Sequence, residues 1–110
     1  MLEVTFYRDG RDRLSRIVAR GHAGTAAHGE DIVCAAASAV LQAARLGLEE
    51  HLHVDVRAEQ EPGFFRISWP EATRDGEALR AIVATAELAI EQIARQYPAH
   101  VSLIRNHDAT

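Results

Sequence analysis

Lysine is missing from this sequence: all 12 basic residues are arginines. That excludes chemistry by a side-chain amine, both Schiff-base catalysis and the phosphate-loop lysine. A single cysteine can form neither an internal disulfide nor a multi-cysteine zinc framework, so nothing favours an oxidising compartment. Aromatic residues are only 5% and the net charge is −4. The chain therefore lacks the basic stripe and stacking platform of a nucleic-acid binder, and a basic polypeptide partner suits it better. Long apolar runs are also wanting. The best, Ile32 to Leu41, is interrupted by Ser38 and falls short of the roughly 20 residues that cross a bilayer. The opening MLEVTFYRDGRDR places charges where a signal peptide needs an apolar core. The expectation is a cytoplasmic protein that engages neither membrane nor nucleic acid directly.

What is present reads as one folded domain over residues 1–110, with 47% hydrophobic and 25% charged residues. Leu2, Val4 and Phe6 alternate against Glu3, Thr5 and Tyr7, the period of a half-buried strand. Asp9-Gly10 supplies a turn, and a return strand follows from Leu14 to about Gly21. Small, glycine-punctuated residues from Ala23 to Glu30 read as a mobile loop with Gly24 and Gly29 as flex points. Asp31 reads as an N-cap for a helix from Ile32 to about Glu50, carried by Val33, Ala36, Ala37, Val40, Ala44 and Leu48. A second hairpin spans His53 to Trp69 around the turn Glu61-Pro62-Gly63. After a cap at Asp75, a second helix carries Leu79, Ile82, Val83, Ala86, Ile90, Ile93 and Tyr97 to a stop at Pro98. His100 to Arg105 forms a last strand, followed by a frayed tail. The order hairpin, helix, hairpin, helix, strand predicts an α+β two-layer sandwich: a mostly antiparallel sheet of about five strands with both helices on one face. Trp69, Phe64 and Phe65 belong to the second hairpin's core or to a subunit contact.

The chemistry concentrates between Gly21 and Ser38. Helical geometry sets Cys34 roughly 100° from the centre of the buried face, beside Ser38 and above Leu41. A cysteine in the first helical turn has its thiolate stabilised by unpaired backbone N–H groups, which can also receive an oxyanion. His22, carried across the glycine loop, can take the thiol proton and later protonate a leaving amine. Other readings coexist with this one. Cys34 also serves as a small core filler, and the carboxylates of Glu30 and Asp31 oppose a thiolate. Asp31 either caps the helix or steers His22. Ser38 either bonds back to the preceding turn or contacts nucleophile and substrate. His22, His28, Asp31 and Cys34 include zinc-ligand types, but their spacing matches no metal motif, and neither metal nor cofactor is expected.

The run Gly21-His22-Ala23, then Gly29, then Asp31-Ile32-Val33-Cys34-Ala35-Ala36 with Ser38 resembles the ribosomal-processing cysteine protease family, called Prp or YsxB-like. The resemblance implies a cysteine endopeptidase that removes an N-terminal extension from large-subunit ribosomal protein twenty-seven during ribosome maturation. It implies Cys34 as nucleophile, His22 as general base and acid, Asp31 and Ser38 as supporting residues, a moving loop over Ala23 to Glu30, and a homodimer. A basic ribosomal precursor as partner accords with the acidic chain. The alternative is a noncatalytic ribosome-associated module that holds a basic peptide in the same groove.

Overall fold

In the computed structural model the described residues are 1–21 and 28–108, the side chains of 28–31 lying outside that description. Strands β1 (Leu2–Arg8) and β2 (Leu14–Arg20) form the first hairpin. Helix α1 (His28–Leu46) runs directly into a π-helical turn, Gly47–His51. The second hairpin is β3 (Arg57–Glu61) and β4 (Phe64–Ser68), and a short 3-10 turn, Glu71–Thr73, leads to α2 (Glu77–Gln96) and β5 (Val101–His107).

The sheet order is β3-β4-β2-β1-β5. All pairings are antiparallel except β1 with β5. Register follows the alternation of the sequence. Phe6 faces Ile17 and Ile17 faces Ile67, so one buried row crosses three strands; Val4, Ala19, Phe65 and Gln60 make the next row. Onto this surface pack Val33, Ala37, Leu41 and Ala44 of α1, Leu48 of the π turn, and Leu79, Val83, Ala86 and Ile90 of α2. The expected α+β two-layer architecture is the one observed. Trp69 resolves to the core, buried, with its indole N–H donating to the Leu14 carbonyl at 3.0 Å.

Several boundaries differ from the sequence reading. Helix α1 begins at His28, so Asp31 lies inside its first turn and is not its N-cap. Glu30 and Asp31 there place acidic residue types at the positive end of the helix dipole. Asp75 does not cap α2 either: Gly76 occupies that position, and Asp75 accepts a hydrogen bond from Arg13 at 3.1 Å. Strand β3 starts at Arg57 rather than His53, which sits at φ 55°. Val54 and Val56 still pack against the core, which is why their alternation looked like a strand. Tyr97, expected on the buried stripe, is exposed. The tail expected to fray from Asn106 is instead ordered through 108: strand β5 extends to His107, and Asp108 is held by Arg16 and by its own N–H on the Arg8 carbonyl; residues 109–110 lie outside the described residues. The segment Ile32–His51 is, by length and composition, apolar enough to cross a membrane, at mean hydropathy 1.4. Its stripe from Val33 to Leu48 is spent on the core, as in any core helix.

Candidate active site

A cavity of about 390 Å³ opens where β2 ends, between the N-terminal half of α1 and the β3–β4 hairpin. Helix α1 contributes Cys34, Ser38 and Gln42, one turn apart along one side of the helix, with Leu41 beside them. Leu41, 3% exposed, forms the floor with Leu2, Ala19 and Phe65, and the hairpin closes the other wall through Gln60 and the Glu61–Phe64 turn. Cys34 is half-buried and packs against the core while lining the cavity. The expected neighbourhood of Cys34, Ser38 and Leu41 is therefore present.

The position of Cys34 along the helix is not the expected one. With α1 starting at His28, Cys34 falls in the second turn. Its amide is inside the intrahelical ladder, and the unpaired N–H groups belong to the turn before it. The helix dipole acts most strongly within the first turn, so the helix terminus favours a thiolate at Cys34 less than it would at a first-turn position.

Gly21 bounds the cavity where β2 ends. It lines the cavity, its N–H donates to the Gly63 carbonyl at 3.1 Å, and its φ is 97°. A β-carbon at this position would lie 2.1 Å from the Met1 carbonyl oxygen, so only glycine permits both the backbone angle and the approach of the first strand. Two glycines, Gly21 and Gly63, thus staple the end of β2 to the hairpin turn. His22 is the next residue. His22 and Gly24 lie outside the described residues; Gly29 and Asp31 lie in the backbone of α1, the Asp31 side chain undescribed.

Among the described residues no cluster of three metal-ligating side chains occurs; of the zinc-ligand types His22, His28, Asp31 and Cys34, only the Cys34 side chain is described. His51 and His53 are exposed, away from the cavity lining. Gln42 and Gln60 were not picked out by sequence reasoning. The available signal was Gln60 itself, a polar residue on the inward phase that Val54, Val56 and Ala58 define.

The arrangement suits thiol chemistry on an extended peptide: a half-buried sulfur on a rigid helix, an apolar floor, and a hairpin wall. Comparisons with known proteins agree. The chain resembles SMU.848 from Streptococcus mutans at 25% identity and a TM-score of 0.87, covering 98% of this chain and 96% of that one. It also superimposes on the essential ribosomal processing protease Prp from S. aureus, crystallised with a substrate peptide, at 22% identity and a TM-score of 0.85, covering 96% of this chain and 99% of the other. The same S. aureus protein with a covalently linked product peptide aligns at 23% identity and a TM-score of 0.74, again covering 96% and 99%. Among curated proteins, none matches. The family model described as cysteine protease Prp matches residues 1–102, which takes in strands β1 to β4, the start of β5 and both helices, and on that match this chain belongs to the Prp family of cysteine proteases.

Proposed function

We propose that this protein is a cysteine endopeptidase that removes an N-terminal extension from large-subunit ribosomal protein twenty-seven, with Cys34 as nucleophile and His22 as general base and acid. The observation that carries the reading is the seat of Cys34 in a peptide-sized cavity whose lining includes Gly21, the residue that precedes His22 in the sequence. In this mechanism His22 takes the Sγ proton and the thiolate adds to the scissile carbonyl carbon. The tetrahedral adduct collapses as His22 protonates the departing amine, leaving a thioester between Cys34 and the extension. Water, deprotonated by His22, then releases the acid product and restores the thiol. The S. aureus relative with its covalently linked product peptide supports a thiol-bound intermediate of this kind. Asp31 and Ser38 support the pair, Ser38 from the same side of α1 as Cys34.

A basic precursor suits the formal charge of −4 and Glu61, the only charged residue among the described residues that line the cavity. A ribosomal substrate places the enzyme in the cytoplasm. A homodimer is supported by the outer side of α1, where Ile32 and Leu46 are 58% and 55% exposed and no charged residue occurs from Ile32 to Ala44.

The test is incubation of the extended ribosomal protein with wild type, Cys34→Ala and His22→Ala, read by mass spectrometry. Each substitution should lower turnover by at least about 10³-fold while leaving circular dichroism unchanged. Undiminished cleavage by Cys34→Ala would overturn the assignment. Tight binding by wild type with no product over many equivalents would favour the noncatalytic peptide-holding module.

A further inference from the structure

We infer that Gln42 and Gln60 form a paired amide site that binds the main chain of the substrate, three to four residues from the scissile bond. The inference rests on the protease reading above and adds to it the means by which the cleft holds an extended peptide in register.

The two side chains meet across the cavity, Gln42 from α1 and Gln60 from the inward face of β3. Gln42 Nε2 donates to Gln60 Oε1 at 2.8 Å, and Arg45 Nη1 donates to the same oxygen at 3.2 Å. Arg45 is itself steered by its Nε bond to Glu49 at 2.8 Å. A guanidinium has donors only, so the Gln60 atom that faces it must be the carbonyl oxygen. That settles the orientation of both amides. Gln60 holds its NH₂ away from Arg45, and Gln42, which must donate to Gln60, holds its own carbonyl away. Neither the Gln60 NH₂ nor the Gln42 carbonyl makes a further hydrogen bond among the described residues.

What remains is one oriented donor group and one oriented acceptor, the complement of a peptide unit's C=O and N–H. The neighbouring floor, Leu41 and Phe65, has side chains that offer neither. A peptide laid over that floor buries main-chain groups that need partners, since a buried unpaired amide costs about 1–3 kcal/mol. Beyond Ser38 along α1, the Gln pair supplies both. Gln42 lies two turns beyond Cys34, about 12 Å along the helix axis, and an extended chain covers that distance in three to four residues at about 3.3 Å each.

The experiment uses peptides spanning the junction between extension and mature ribosomal protein, in cleavage by wild type and in binding to Cys34→Ala. Gln60→Glu keeps the oxygen that accepts from Arg45 and Gln42 but removes the NH₂; Gln42→Met keeps length without polarity. Each should raise KM for a long peptide about tenfold with kcat within about twofold, and leave a peptide cut back to two residues on each side of the bond unaffected. Binding of the long peptide to the corresponding double variants of Cys34→Ala should weaken by the same factor. Replacing one main-chain amide by an ester, scanned over the third and fourth positions on either side, should weaken wild-type turnover about tenfold at one position and have no further effect in Gln42→Met. The inference is overturned if wild type cleaves and both variants match its KM, or if the ester costs the same with and without Gln42. If wild type makes no product, the protease reading falls and takes this inference with it.

Discussion

Gly21 does at residue scale what no other residue could do in its place. Its φ of 97° and the 2.1 Å approach of the Met1 oxygen to a would-be β-carbon make Gly21→Ala a backbone perturbation rather than a side-chain one. The strain should cost about 1–3 kcal/mol, lowering Tm by roughly 5–15 °C. It should also depress cleavage measured well below the transition, because the residue sets the direction in which the chain leaves β2 for His22. A calorimetric scan showing wild-type Tm would refute this. At this scale the sequence points to the lone cysteine and to the serine a turn beyond it, both of which line the cavity, whereas the histidine after Gly21 lies outside the described residues. It was silent on Gln42 and Gln60, whose meaning lies in a hydrogen bond between a helix and a strand that no local spacing encodes.

Among the elements, α1 is the one whose surroundings do not match its composition. Its inner stripe is fully used by the core, yet Ala36, Ala39 and Ala43 lie exposed between Ile32 and Leu46 on the outer side. A helix side without polar residues is ordinarily covered, and a second copy of the chain is the cover proposed above. Ala39→Glu puts a charge in the middle of that side without touching the core. It should convert a dimer to a monomer in sedimentation experiments while shifting monomer stability by no more than about 0.5 kcal/mol. A wild type that sediments as a monomer, or a variant that still dimerises, would rule the surface out. Strand and helix periods made both hairpins and both helices readable, because each buries one face. Two boundaries were hidden for physical reasons. Small polar residues at the start of α1 resemble a loop until the packing of Val33 and Ala37 holds them helical. Val54 and Val56 alternate because they cover the core, not because they pair. The parallel β1–β5 contact was not readable at all, being a consequence of where α2 returns the chain.

Over the whole molecule, the two ends of the sequence are tied to the middle by buried carboxylates, and one of them makes a pH-dependent prediction. Glu87 on α2, 6% exposed, takes both Arg8 nitrogens at 3.0 Å and Arg105 at 3.1 Å, joining α2 to β1 and β5. Asp9, 2% exposed, sits in the turn the sequence announced, but its partners reach well beyond that turn. It accepts from the backbone N–H groups of Arg11 and Arg13, from Arg13 Nε at 3.1 Å, and from Arg74 Nη1 at 2.9 Å, so it locks the first hairpin to the segment that enters α2. Burial pushes the Asp9 carboxyl upward, but the hydrogen bonds from Arg13, Arg74 and Arg11 together outweigh it and hold the group well below the ordinary carboxylate range. The folded state therefore binds this proton less readily than the unfolded chain, whose aspartates titrate near about 3.9. Between those two values the unfolded state holds more protons, so stability rises with pH there. The contribution of Asp9 is complete above about pH 4 and falls away as acid approaches the folded value. Asp9→Asn should accordingly lower Tm by several degrees at pH 7, and the gap to wild type should narrow progressively below pH 4, as the wild type loses what the variant never had. Urea unfolding of both proteins across that range checks it, and a gap of constant size would show that the Asp9 contacts contribute by shape alone and not by charge.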